Sequence, residues 1–178
     1  MRYRHCIPLA AGLACLPAYA TQYLSVEQAQ KLMFPDATAF RAQDLALTLP
    51  QMQQVEKLSG LAARSVNWRV VGAYSGDRLL GYMVLDDVIG KFELISYAVG
   101  LNPDATIRQV EILTYRESHG GEIRLPAWRR QFVGKSAGSG GLSVGDGIAN
   151  ISGATLSCTH LTDGVRRIAA VAQVGLKK

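Results

Sequence analysis

The first apolar pattern in the chain is helical and short. Ser25-Val26-Glu27-Gln28 has the form of a capping box, and the helix it opens must end before Pro35. Leu32, Met33 and Phe34 follow as an apolar cluster whose expected place is the core. Thr48-Leu49-Pro50-Gln51 offers a second cap, with Met52, Val55 and Leu58 at helical spacing and Gly60 as the stop. From Val66 the pattern changes to strands. Trp68 to Tyr74 is rich in β-formers, Ser75-Gly76-Asp77 makes a turn, and Leu79 to Leu85 returns as the hairpin partner. Phe92 to Val99 and Ile107 to Tyr115 add two strands around the loop Leu101-Asn102-Pro103-Asp104.

Beyond the strands, Pro126 to Val133 predicts a short helix with Pro in its first turn. Gly134 to Gly147 holds six glycines in fourteen residues, a flexible composition. Thr162 is the expected cap of a C-terminal helix. Val165, Ile168, Ala169 and Ala172 would form its apolar face, with Arg166 and Arg167 pointing away. Strands joined by short turns favour antiparallel pairing. There is no repeat and no domain-scale linker. The expected architecture is a single α+β domain, an antiparallel sheet with flanking helices.

The N-terminus changes the boundaries of that domain. Arg2, Arg4 and His5 precede a short apolar run, Ile7 to Leu16, and Ala18-Tyr19-Ala20 has the form of a cleavage site. Residues 1–20 therefore read as an export signal, too short in its apolar part to span a bilayer, and residues 21–178 as the domain. That leaves 158 residues, enough for one sizeable core. Of the 19 basic residues, removing Arg2 and Arg4 leaves 17 against 14 acidic ones, a net of +3. So mild a balance gives no argument for nucleic acid. Cys6 and Cys15 fall in the signal. Cys158 then stands alone, which excludes an internal disulfide and a multi-cysteine metal or iron–sulfur site. Its expected role is a small buried residue. His119 and His160 are too far apart in sequence to argue for zinc or haem.

The segment Ile151-Ser152-Gly153-Ala154-Thr155-Leu156-Ser157 carries the most chemistry. Small residues let a flat ligand approach the backbone, and hydroxyls with free amides at a helix entrance hold a phosphate. The segment is not a P-loop, a dinucleotide-binding glycine fingerprint or a serine nucleophile elbow. On local chemistry alone it is a ligand site or a structural turn, and both readings stand. Trp128 is expected to anchor the core. Arg129-Arg130 and Arg166-Arg167 are expected on solvated helix faces. His119 reads as a loop histidine.

Two ordered segments resemble the FMN-binding domain family. One is Tyr115-Arg116-Glu117-Ser118-His119-Gly120-Gly121-Glu122-Ile123 followed by Trp128-Arg129-Arg130-Gln131-Phe132-Val133-Gly134-Lys135. It is similar to the family's acidic-glycine loop and its Phe-x-Gly-Lys segment. The other is Ile151 to Ser157 with Leu161-Thr162-Asp163-Gly164-Val165 after it, similar to the Ser-Gly-Ala-Thr motif.

The resemblance implies that Thr155 accepts FMN through a phosphoester. Ser152, Gly153, Ala154, Leu156 and Ser157 would lie beside the phosphate and ribityl chain, with Glu117 and Lys135 near the flavin. It implies an exported, periplasmic electron carrier rather than a stand-alone enzyme. A flavin transferase would act in maturation, and a membrane-bound redox partner in function. The chain departs from the family pattern before the motif. Ala149 stands six residues ahead of Thr155, and Gly147 eight ahead, where modified members carry Asp. A non-covalent ligand-binding module and a flavin-dependent reductase are the alternative readings.

Overall fold

The protein is described by a computed structural model, which covers residues 21–177. The expected export signal lies outside the described residues. The strands run β1 Thr21–Gln22, β2 Ala39–Ala42, β3 Leu45–Ala46, β4 Asn67–Trp68, β5 Val70–Ser75, β6 Arg78–Ile89, β7 Leu94–Leu101, β8 Ile107–Tyr115, β9 Ser143–Val144 and β10 Gly147–Ile148. The α-helices are α1 Val26–Met33, α2 Leu49–Ser59, α3 Pro126–Arg129 and α4 Thr155–Gly175. Six strands form one antiparallel sheet in the order β1-β8-β7-β6-β5-β2. The expected α+β architecture is what the chain adopts.

The sheet is covered on both faces, and the period of two along each strand divides the core accordingly. Tyr82, Val84 and Val88 of β6 and Tyr97, Val99 and Leu101 of β7 pack with Leu161, Val165 and Ile168 of α4. Met83 and Ala98, one residue out of phase, pack with Ala29, Met33 and Phe34 around α1 on the other side. Each fully buried aliphatic or aromatic side chain of this kind contributes roughly 1.5–3 kcal/mol.

The local signals act as read at most ends. Ser25 and Gln28 exchange both capping-box hydrogen bonds at the start of α1. Gln51 Oε1 accepts from the Thr48 backbone at 2.8 Å, and Gly60 closes α2 in the left-handed region at φ 69°. The short helix at Pro126 lasts one turn and tightens into a 3₁₀ turn, Arg130–Phe132. Cys158 is fully buried.

Several expectations are corrected. The C-terminal helix starts at Thr155, seven residues ahead of Thr162. Thr162 is therefore interior, with 1% of its surface exposed and its hydroxyl unpartnered. Its cap-like sequence is overridden because Cys158 and Leu161 continue the buried face of the helix toward the N-terminus. Arg167 does not point away. It is 9% exposed and its Nε donates to Ala62 O at 2.8 Å. Arg166 donates to Asp163 at 2.7 Å and to Ser143 Oγ at 2.8 Å, tying the glycine-rich stretch to α4. Arg129 pairs with the buried Glu111 and donates to Val110 O at 2.6 Å, so it braces β8 instead of facing solvent. The hairpin strand expected to end at Leu85 runs on to Ile89, and the strand expected from Phe92 begins at Leu94.

Candidate functional site: a cavity at the entrance of the C-terminal helix

Strand polarity brings three chain segments to one end of the sheet. The β6–β7 turn, the loop after β8 and the start of α4 meet there around a cavity of about 430 Å³. Its lining is Lys91 and Phe92 from the turn, Glu117, Ser118 and His119 from the loop, and Gly153 to Ser157 from the helix entrance. Six of the eight residues expected from the two motif segments to contact a flavin nucleotide are thus gathered, namely Gly153, Ala154, Thr155, Leu156, Ser157 and Glu117.

The helix entrance is built by a tight turn. Ala154 N donates to Ile151 O at 3.0 Å, and Gly153, at φ 78°, takes the left-handed position that such a turn demands. Ser152, at the turn's other central position, is exposed and outside the cavity lining. Thr155 is the first residue of α4, and the first intrahelical amide bond there is Cys158 N to Ala154 O. The amides of Thr155, Leu156 and Ser157 are consequently free of helical partners, at the positive end of a 21-residue helix. The Asn150 side-chain amide donates to Thr155 Oγ1 at 3.1 Å.

The segment before this turn is held by aromatic and amide side chains. Trp128 Nε1 donates to Ala149 O at 2.8 Å, and Ala149 N donates to Gln131 Oε1 at 2.7 Å. Trp128 also meets Phe132 edge-on, with ring centroids 5.3 Å apart. The Trp128–Gln131 segment thus fixes where the backbone enters the motif. At Gly147 a side chain would stand 2.4 Å from Gly141 O, on a backbone at φ 82°. This backbone has no room for an acid at that position.

The opposite wall is organised by Glu117. Its Oε1 accepts the backbone N–H groups of Phe92 at 2.7 Å and Glu93 at 3.0 Å. Burial pushes this carboxyl up. The amides of Glu93, Phe92 and Lys91, with the Lys91 charge, outweigh that and hold it below the ordinary carboxylate range. A carboxylate so engaged fixes the turn that carries Lys91 and Phe92. Gly90 allows this approach, because a Cβ there would stand 2.5 Å from Glu117 Oε1 and 3.0 Å from Ser157 Oγ. The loop is latched onto the helix at its far end as well. Tyr115 donates its hydroxyl to His119 O, and a Cβ on Gly120 would stand 2.1 Å from Ala154 Cβ. Burial raises the Tyr115 phenol above its usual value.

Lys135 is placed elsewhere. Its backbone joins the start of β8 through Ile107 N at 2.7 Å, and its Nζ lies against Gly141 in the glycine-rich stretch. Lys91 is the lysine that lines the cavity. Sequence reasoning missed Lys91 and Phe92. The available signal was a charged and an aromatic residue in a turn between strands, where Phe92 is 76% exposed.

The residues present suit a flavin nucleotide. Three amides without helical partners, the hydroxyls of Thr155 and Ser157 and the Lys91 side chain share this lining, and Phe92 and Leu156 offer exposed apolar surface. The cavity volume falls within the range of small-molecule sites.

The family comparison agrees with this chemistry. Residues 90–170 match the model of the FMN-binding domain family, a span that includes every residue lining the cavity. A crystal structure of NqrC from Shewanella oneidensis is similar at 16% identity, with 82% of each chain covered and a TM-score of 0.48. No curated protein matches the sequence. Residues 90–170 belong to the FMN-binding domain family.

Proposed function

We propose that this protein is an exported, periplasmic electron carrier whose FMN is joined through its phosphate to Thr155. The observation that carries the reading is the position of Thr155. It is the first residue of α4 and it lines the cavity that Lys91, Phe92 and Glu117 close from the other side. When bound, FMN supplies one- and two-electron redox chemistry.

The chain's own residues would divide the work. The free amides of Thr155, Leu156 and Ser157 would hold the phosphate, with the Ser157 hydroxyl beside them and Lys91 as counter-charge. Phe92 and Leu156 would flank the ring system at the exposed rim. Glu117 is a positioning residue. A carboxylate facing a phosphate would repel it, whereas one bound to the 92–93 amides sets the turn that supplies Lys91. Gly153 and Ala154 keep the entrance low enough for close approach, with Ser152 on the outer side of the turn. In this reading Lys135 serves the glycine-rich stretch rather than the flavin.

A flavin transferase would supply the activated nucleotide and a membrane-bound redox partner would exchange electrons. No helix among the described residues is long and apolar enough to cross a membrane. The second reading, non-covalent FMN binding, is favoured by Ala149 and Gly147, which leave Asn150 as the side chain bonded to the Thr155 hydroxyl. Denaturing the purified yellow protein separates the two. Flavin that stays with the chain supports the phosphoester, and flavin released into the supernatant supports the second reading.

A further inference from the structure

A second cavity, of about 260 Å³, lies between α4 and the end of β6 and shares no lining residue with the flavin site. Its walls are Arg64, Val88, Ile89, His160, Asp163 and Arg167. Arg167 is more than nine-tenths buried, yet its one hydrogen bond uses Nε, to Ala62 O. Both Nη groups, the fork that grips an oxyanion, are left without a hydrogen-bond partner among the described residues.

Asp86 and Asp163 act on Arg167 through space, but both are engaged by other partners. Asp163 is engaged by Arg166 at 2.7 Å, and Asp86 accepts the Tyr97 hydroxyl at 2.8 Å. Neither forms an ion pair with Arg167. Arg64 instead brings a second positive charge. It takes the left-handed region at φ 62°, an uncommon conformation for a residue with a side chain, and makes one long hydrogen bond, to Asp87 O at 3.4 Å. Burial first, and the Arg64 charge second, act against the charged form of Arg167. His160 Nδ1 is turned to Ile89 O at 2.6 Å, which leaves Nε2 without a partner.

We propose that this cavity binds an oxyanion, the carboxylate or phosphate group of a small ligand, clamped between the guanidinium groups of Arg64 and Arg167. An oxyanion between the two guanidinium groups would accept from both and offset their like charges. The Ile89–Gly90 backbone links it to the flavin cavity, since His160 contacts both carbonyls and Gly90 lies against Glu117 and Ser157.

The test is an amide and arginine side-chain NMR titration of the full chain at low ionic strength, with inorganic phosphate and with acetate as separate probes. The expected result is saturable shifts at Arg64, His160 and Arg167. Arg64→Gln should weaken binding about tenfold, the loss of one charged donor pair. Arg167→Gln should abolish it. Arg64 is exposed, so its variant keeps the fold should the buried Arg167 variant not. Saturation by phosphate alone or by acetate alone supports the site and identifies the group it takes. Shifts confined to residues 155–157, binding indifferent to Arg64→Gln, or no saturation with either probe would overturn the proposal.

Discussion

The Asn150 side-chain amide donates to the Thr155 hydroxyl at 3.1 Å, across the turn that starts α4. The contact occupies a lone pair of Oγ1 and leaves its proton free to point elsewhere. It orients the hydroxyl without supplying a base. Asn150→Ala is therefore expected to slow flavin attachment several-fold while leaving stability within about 0.5 kcal/mol, as for other exposed positions. A time course of intact mass, beside a thermal melt, checks both halves.

Glu117 should make stability depend on pH in the acid range. Its folded-state pKa lies below that of an ordinary glutamate, so its contribution is fully present above the unfolded-state pKa. The contribution is lost as pH falls through the lower, folded-state pKa. Glu117→Gln keeps an acceptor but loses the charge, and should cost about 1 kcal/mol at neutral pH. Urea titrations at several pH values should show a smaller acid-side decline in the variant than in the parent.

Gly120 is the point where the Glu117 loop touches the helix entrance. A methyl group there would overlap Ala154 Cβ at 2.1 Å and would sit on a backbone at φ 79°. Gly120→Ala should destabilise the fold by roughly 1–3 kcal/mol, through overpacking and strain together. It should also lower flavin content, because the two walls of the cavity are forced apart. Absorbance of the bound flavin per chain measures this directly.

Trp128 links the one-turn helix to the motif through Ala149 O at 2.8 Å. Trp128→Phe keeps much of the buried ring and deletes the donor. The expected cost is about 1 kcal/mol in stability. Hydrogen exchange should speed up at residues 149–154 while the sheet amides remain protected.

Much of this architecture is legible in local chemistry. The box Ser25–Gln28, the stop at Gly60 and the boundaries of β8 follow from side chains acting on their own backbone neighbours. What escapes sequence reading is set by distant partners. Ala39–Ala42 has a weak strand pattern and becomes a strand because β5 offers an edge to pair with. Thr162 reads as a cap, yet the buried run through Cys158 and Leu161 carries α4 back to Thr155. That earlier start is what puts free helix amides at the motif. The site residues drawn from the two motif segments mostly converge, because both segments meet at one end of the sheet. Lys91 and Phe92 were hidden in a hairpin turn whose nearness to α4 depends on strand order. Arg167 lies in an Arg pair that looks solvated until Ala62 O and the buried face of α4 are known.

The central claim is that Thr155 holds the flavin. Its most direct test is the intact mass of the full chain, produced with a flavin transferase and exported. The expected result is an added mass of one FMN phosphoester, absent from Thr155→Ala and retained after denaturation. A colourless chain of unmodified mass under those conditions would contradict it.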